Sequence, residues 1–209
     1  MIQTEWLDKK LNFIDCPGSD DFIGGAVTSL NVTDTALLLV NAQYGVEVGT
    51  NNHFRYTERF NKPVIFIVNQ LDHEKADFDR SMEQLKENYG SKVVQIQYPI
   101  SVGPQFNAVV DVLKMKMYRW KPEGGVPEVL DIPDTEINKA QDLHNALVEA
   151  AAEHDEALME KFFDQGSLSE EEMRIGIRKG MLHRDMYTVF SVSAGKDMCV
   201  RRMMEFVGN

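Results

Sequence analysis

The chain has 209 residues, a net charge of −11 and an isoelectric point near 4.9. An apolar share of 43% with 26% charged residues is ordinary for a globular chain that is long enough to bury a core. The acidic charge argues against broad binding along a DNA or RNA backbone, and no apolar run approaches the roughly 18 to 20 residues of a membrane span. Cys16 and Cys199 lack metal-binding spacing, which favours a reduced, cytoplasmic setting.

Short apolar segments alternate with amphipathic segments in the first third of the chain. Residues 11–15, 35–41 and 63–69 are apolar on both faces, as in strands of a parallel sheet that is covered on both sides. The segments between them, residues 22–31 and 48–60, are predicted helices. This order predicts an α/β sheet with right-handed crossover connections.

The remainder of the chain changes character and then returns to the first pattern. The Pro- and Gly-rich residues 121–133 are predicted as a loop, and Ser169 with a glutamate three residues later predicts a capped helix start. The further predicted helices are residues 76–89, 135–165, 169–182 and 196–207. The further predicted strands are residues 93–100, 108–120 and 187–193. The simplest organisation is an α/β core, residues 1–75 and 186–209, interrupted by an inserted α+β subdomain, residues 76–185.

Three polar motifs follow predicted strands of the core. The first motif, Asp15-Cys16-Pro17-Gly18, follows the first predicted strand, and such a turn is common. Each of the three motifs is weak evidence when it is taken alone. Asp72, in Asn69-Gln70-Leu71-Asp72, offers two acceptors to the N1–H and 2-amino groups of guanine, whereas adenine has no such pair of donors. A backbone N–H at Ser193-Ala194 has the right chemistry for guanine O6. Ligands bind at the carboxyl ends of strands in open α/β sheets, so the three motifs together predict a guanine site.

At these motifs the chain resembles the G domain of translation elongation factor G, over about residues 5 to 207. The resemblance rests on "NFIDCPGSDDF", "VIFIVNQLD" and "SVSAGKDMCV", and within the insertion on "VVDVLKMKMYRW", "DIPDTEI" and "LVEAAAEHDEALMEKF", which are similar to that factor's G′ subdomain. It implies a P-loop-NTPase-like sheet, GTP or GDP with Mg²⁺ as ligands, and action on the ribosome during translocation of tRNA and mRNA.

The resemblance also implies roles for individual residues in a full-length parent protein. Asp15 would hold Mg²⁺ through a water, and the Gly18 N–H would meet the γ-phosphate. The nucleotide-binding set that it implies is Asp15, Gly18, Asn69, Gln70, Asp72, Ser193 and Ala194.

The sequence departs from the family in its phosphate-binding parts. No Gly-x-x-x-x-Gly-Lys-Ser/Thr loop is present; Gly195-Lys196 lacks the upstream glycine, and Asp197 stands where Ser or Thr would hold magnesium. Because only fourteen residues precede Asp15, where the phosphate loop and first switch belong, we expect the chain to be an N-terminally truncated piece of a longer protein. Such a piece is expected to bind no nucleotide at micromolar concentrations and to be inactive, because backbone N–H groups around the phosphates supply much of the affinity.

Two further departures concern hydrolysis. Ser19 occupies the position of the family's histidine, which orients the attacking water, and Gln70 replaces the usual lysine over the nucleotide. These substitutions predict impaired hydrolysis in the parent, and no catalytic residue is assigned. Two alternatives stay open: Ser19 only adjusts a turn while another group places the water, or the protein is a nonhydrolysing ribosome-binding scaffold.

An acidic stripe is predicted on the long helix at residues 135–165. Glu149, Glu153, Glu156 and Glu160 have spacings of four, three and four, which place them on one helical face. The simplest interpretation is a solvated face. The resemblance adds a second one, since the acidic helix of this subdomain in elongation factor G is where the ribosomal stalk protein docks.

Overall fold

The computed structural model describes residues 1–208, which form one separate hairpin, two four-stranded sheets and seven α-helices. In this described range, none of the helices is both long and apolar enough to cross a membrane. The α/β class predicted from the sequence is confirmed by a parallel sheet that is connected through helices.

The chain begins with an antiparallel hairpin of β1 (Ile2–Trp6) and β2 (Lys9–Phe13). Its two-residue turn, Leu7 and Asp8, has positive φ at both positions (49° and 61°), the geometry that matches the twist of paired strands. The prediction that residues 11–15 belong to the covered parallel sheet is wrong, because β2 pairs with β1 alone. The tight turn closes this local pairing at a small cost in chain entropy.

The parallel sheet has the strand order β3–β4–β10–β5. Its strands are β3 (Ala36–Asn41), β4 (Val64–Asn69), β5 (Val93–Gln95) and β10 (Tyr187–Ser191). Ile67 of β4 lies between Leu39 of β3 and Phe190 of β10 in register. The first five residues of β4 are buried, as expected of a central strand with both faces covered.

Three helices lie in the predicted core and a fourth, α3, lies at the start of the predicted insertion, and each confirms a predicted element. They are α1 (Ile23–Val32), α2 (Val48–Arg59), α3 (Phe78–Tyr89) and α7 (Val200–Gly208). Asp77 caps α3 by accepting from Arg80 N, and Gly90 (φ 77°) follows its last residue. Phe206 of α7 packs on Phe190 of the sheet, with ring centroids 4.9 Å apart.

The segment 93–100 was predicted as one strand, but it contributes to two sheets. Val93–Gln95 pairs with β10 in the parallel sheet, and β6 (Gln97–Pro99) begins the second sheet after the buried Ile96. Polar Gln97 is fully buried here and donates to Asp111. The second sheet therefore begins well after the predicted start of the insertion, and the division into domains remains a prediction.

The second sheet is antiparallel, in the order β6–β7–β8–β9. Its last three strands are β7 (Ala108–Asp111), β8 (Lys116–Arg119) and β9 (Glu128–Leu130). The predicted single strand 108–120 is wrong: Asp111 accepts from Lys114 N at 2.9 Å, and Met115 has φ 50°, so the chain turns back. The predicted loop 121–133 contains β9, a short strand that the sequence analysis missed because Gly and Pro residues precede and follow it.

The long helix predicted over residues 135–165 is two helices, α4 (Asp134–Ala152) and α5 (Glu156–Gln165). Asp155 stops the first from continuing: its side chain accepts from the N–H groups of Ala157 and Leu158 and so caps α5. The next helix, α6 (Glu170–Leu182), has the predicted capping box.

Candidate functional site

The carboxyl ends of β4 and β10 bring two of the predicted motifs into direct contact. The Ser193 hydroxyl donates to Asp72 Oδ1 at 2.7 Å, and the Ala194 N–H donates to Asn69 Oδ1 at 3.0 Å. β4 and β10 are adjacent and parallel, so their carboxyl ends meet at the same sheet edge. We call Asn69, Asp72, Ser193 and Ala194 the purine cluster.

Asp72 is held as an anion by its surroundings. Partial burial by itself would raise its pKa, but the hydrogen bond from Ser193 and the charge of Lys196 outweigh this and hold the pKa of Asp72 below its ordinary value. Lys196 Nζ lies 3.4 Å from Asp72 Oδ2. An ionised carboxylate is acceptor-only, and each oxygen keeps a further lone pair for a ligand N–H.

The loop from Ser193 to Met198 is closed on itself. Ser193 and Met198 exchange two backbone hydrogen bonds, of 3.2 Å and 3.1 Å, and Asp197 has a left-handed backbone with φ 51°. The prediction assigns guanine O6 to a backbone N–H at Ser193-Ala194. The Ala194 N–H already donates to Asn69, so its use for the base would require that this internal bond be exchanged.

Gln70 does not lie free over the site. Its backbone is left-handed, with φ 62°, and its Oε1 accepts from Asn41 Nδ2 at 2.9 Å. Asn41 and Asn69 are opposite one another at the ends of β3 and β4. The glutamine side chain therefore links two adjacent strand ends beside the purine cluster.

The first motif lies beside α2. Asp15, Gly18 and Ser19 are exposed, and among residues 1–208 no hydrogen bond joins them to the purine cluster. The neighbouring Asp20 accepts from Asn52 of α2 at 3.1 Å through both carboxylate oxygens. Hydrogen bonds thus join two of the three predicted motifs directly, and in the described residues none joins the first motif to them.

The residues for Mg²⁺ are incomplete in the described part of the chain. Residues 1–208 contain no group of three or more His, Cys, Asp or Glu side chains that is arranged to hold a metal ion. Asp15 stands as a single exposed carboxylate. The Mg²⁺ role of Asp15 therefore stays a prediction for a longer protein.

A cleft of about 460 Å³ lies between α1 and α2, away from the purine cluster. It is lined by Asp20, Ile23, Asn52, Arg55, Tyr56 and Arg59. Of these residues only Asp20 belongs to a predicted motif, and none belongs to the purine cluster.

The predicted acidic stripe is interrupted by the helix break. Glu149 is in α4, Glu153 directly follows α4, and Glu156 is the first residue of α5. All three are exposed, as is Glu160. They do not share one continuous helical face, because the 3.6-residue spacing no longer applies across the break.

Sequence reasoning missed the part that Lys196 plays. The sequence motif relates Lys196 only to an incomplete phosphate loop, yet its ammonium group faces the Asp72 carboxylate. The signal that points to this contact is the position of Lys196 three residues after Ser193, in a loop that the sequence predicts to be part of the site.

The fold is that of an open α/β domain in which two polar loops meet at the carboxyl ends of adjacent strands. That class includes many nucleotide-binding proteins. The family model described as the elongation factor Tu GTP binding domain matches residues 1–209, and the chain belongs to this family of translational GTPase domains.

A solved structure supports the same fold. The chain is similar to a protein from Thermus thermophilus of known crystal structure, with a TM-score of 0.89 and 25% sequence identity. The match covers 98% of this chain and 30% of the Thermus chain. The chain thus spans about a third of the length of the protein that it matches.

Proposed function

We propose that this chain is the guanine-recognising part of a translational GTPase of the elongation factor G kind. The observation that carries the proposal is the contact of Asp72 with Ser193 and of Asn69 with Ala194 at one sheet edge. The membership in the elongation factor Tu GTP binding domain family supports GTP and GDP as the parent's ligands.

In this proposal Asp72 sets the base specificity. Its two oxygens accept from N1–H and the 2-amino group of guanine, while Ser193 keeps the carboxylate oriented at 2.7 Å. Asn69 holds the Ser193-Ala194 loop against β4, and a backbone N–H of that loop donates to guanine O6. Adenine presents no donors at the matching positions, so the anionic Asp72 would remain unpaired against it.

The test uses nucleosides, because they separate base recognition from phosphate binding. Guanosine titrated to millimolar concentration should shift the backbone amide NMR signals of Asp72 and Ser193, and adenosine should not. In Asp72→Asn, guanosine affinity should fall by roughly tenfold or more. The same variant should gain affinity for xanthosine, whose O2 accepts from the new amide group. If guanosine and adenosine give equal shifts, guanine recognition is refuted.

GTP and GDP are expected to bind this chain only slightly more tightly than guanosine does. Asp15 and Gly18 are exposed and are not part of a phosphate loop, and phosphate cradling supplies much of a nucleotide's affinity. Calorimetry is therefore expected to detect no binding of either nucleotide at micromolar concentration. A micromolar dissociation constant would contradict this part of the proposal.

Hydrolysis in the full-length parent is proposed to be impaired. A serine hydroxyl at Ser19 is too short to orient an attacking water, and Gln70 is uncharged and bonded to Asn41. A single-turnover GTPase assay with ribosomes should show a slow rate for the parent and a faster one for its Ser19→His variant. A wild-type rate matching that of an ordinary elongation factor would refute the proposal.

The parent's partner is proposed to be the ribosome, with the stalk protein contacting the exposed Glu149, Glu153 and Glu156. Charge reversal at Glu153 and Glu156 should weaken stalk binding, most clearly at low salt, because exposed charges are screened at higher ionic strength. An unchanged affinity would leave these residues as a solvated surface.

A second candidate function is a nonhydrolysing ribosome-binding scaffold. It is favoured by serine at position 19 and by the hydrogen bond that Gln70 accepts from Asn41. The two candidates differ in guanine recognition. A parent that binds ribosomes equally well with and without GTP would favour the scaffold.

A further inference from the structure

The loop between β8 and β9 in the second sheet touches the loop of the purine cluster. A Cβ placed on Gly124 would overlap the backbone oxygen of Lys196 and lie 2.9 Å from its carbonyl carbon. Such an approach is open only to glycine, because no side chain fits between the two backbones. The second sheet and the guanine loop are thus in backbone contact at this point.

The loop that carries Gly124 is itself fixed. The Gly124 N–H donates to Lys121 O at 2.9 Å, which closes a turn, and the indole N–H of Trp120 donates to Gly125 O at 3.1 Å. Trp120 is 4% exposed, so the loop is anchored to the interior of the subdomain. A fixed loop pressed against Lys196 limits where the backbone of residue 196 can lie.

Lys196 connects this contact to the base-recognising carboxylate. Its backbone oxygen meets Gly124, while its Nζ lies 3.4 Å from Asp72 Oδ2. Its backbone N–H donates to Ser193 O at 3.2 Å, and the Ser193 hydroxyl holds Asp72 Oδ1. A displacement of the Lys196 backbone would therefore reach both groups that orient the carboxylate.

We propose that Gly124 is a positioning residue for guanine recognition: the β8–β9 loop braces the Ser193–Met198 loop and so sets the affinity of the purine cluster for the base. This inference rests on the proposed guanine site.

The adjacent glycine supplies a matched control. Gly124 and Gly125 both have positive φ, 78° and 91°, but a Cβ on Gly125 meets no atom within 4 Å. Alanine at either position therefore carries similar backbone strain, and only Gly124→Ala forces the Lys196 backbone to move. Trp120→Phe is a milder third variant, since it removes the hydrogen bond to Gly125 O and retains an aromatic ring.

The experiment measures amide NMR shifts and guanosine affinity in the whole chain, with thermal unfolding to verify folding. Gly124→Ala should shift the signals of Ser193, Lys196 and Asp72 without ligand and weaken guanosine binding by roughly fivefold or more. Gly125→Ala should do neither. If Gly124→Ala does not fold, Trp120→Phe should give the same effects at smaller amplitude.

The outcomes separate this inference from the proposed function. If the wild-type chain binds no guanosine, the proposed function fails, and the ligand-free shifts still decide whether the brace exists. The inference is overturned if the wild type binds guanosine and folded Gly124→Ala or Trp120→Phe binds it equally well. It is also overturned if the ligand-free signals of Ser193 and Lys196 are unmoved in these two variants.

Discussion

The Arg202 guanidinium donates from Nε to Asp111 Oδ2 at 2.6 Å, and both side chains are buried. This pair joins α7 to β7, and therefore the C-terminal helix to the second sheet. Burial alone would lower the pKa of Arg202, but the charge of Asp111 outweighs burial and raises it. Arg202 therefore stays a cation inside the folded protein.

Loss of one partner of this pair should be costly. Arg202→Ala should lower the free energy of unfolding by about 3 to 5 kcal/mol, because it leaves the Asp111 carboxylate buried and without its counter-ion. Arg201→Ala is the control, since Arg201 is exposed and lies 3.6 Å from Asp197, a surface pair whose loss costs below about 1 kcal/mol. Urea denaturation measures both; equal effects would contradict the prediction.

The close contact between α4 and α6 requires glycine at position 176, which has no side chain. A Cβ on Gly176 would overlap the backbone oxygen of Ala151, so Gly176→Ala should separate the helices and destabilise the protein by about 1 to 3 kcal/mol. Gly25 of α1 has no atom within 4 Å of its added Cβ. Gly25→Ala should therefore stabilise by about 0.5 to 1 kcal/mol, and thermal melting distinguishes the opposite signs.

The start of α6 should make stability depend on acidic pH. Hydrogen bonds from Lys161 and from Ser169 lower the pKa of Glu172 from 4.5 to about 2. The contribution of ionised Glu172 to the free energy of unfolding is therefore complete above pH 4.5 and is lost as pH falls through about 2. Glu172→Gln should flatten the stability profile in this interval. Glu171→Gln, at a neighbouring position with no side-chain hydrogen bond in the described range, should retain the wild-type slope.

The hydrogen bond between Ser193 and Asp72 should also contribute to folding. Ser193→Ala should lower stability by about 1 kcal/mol near neutral pH. Since the folded pKa of Asp72 lies below its ordinary value of 3.8, this contribution is present above pH 3.8 and is lost as pH falls through the folded pKa. Exposed Ser91→Ala is the control. A loss that is the same size at pH 7 and in strong acid would disprove the assignment.

Local pattern was sufficient where local chemistry decides the structure. The run of five apolar residues in β4 indicated a covered strand, and Ser169 with Glu172 correctly marked the start of α6. The hydrophobic pattern failed to predict a chain reversal where the residues of the turn are themselves apolar. Val112 and Leu113 are buried within the β7–β8 turn, so residues 108–120 resembled one continuous strand.

The sequence by itself determined the α/β class, most helices and the order of the motifs, because periodicity and capping are properties of neighbouring residues. Two missed features are local in origin: the Leu7-Asp8 turn pairs β2 with β1, and Asp155 caps α5 through the N–H groups of Ala157 and Leu158. Tertiary structure alone decided that Gly124 lies against Lys196 and that Arg202 meets Asp111. Those outcomes depend on contacts between residues far apart in the chain, whose free energies no local pattern contains. The meeting of Asp72 with Ser193, 121 positions apart, is predictable only through the rule that parallel strands end together.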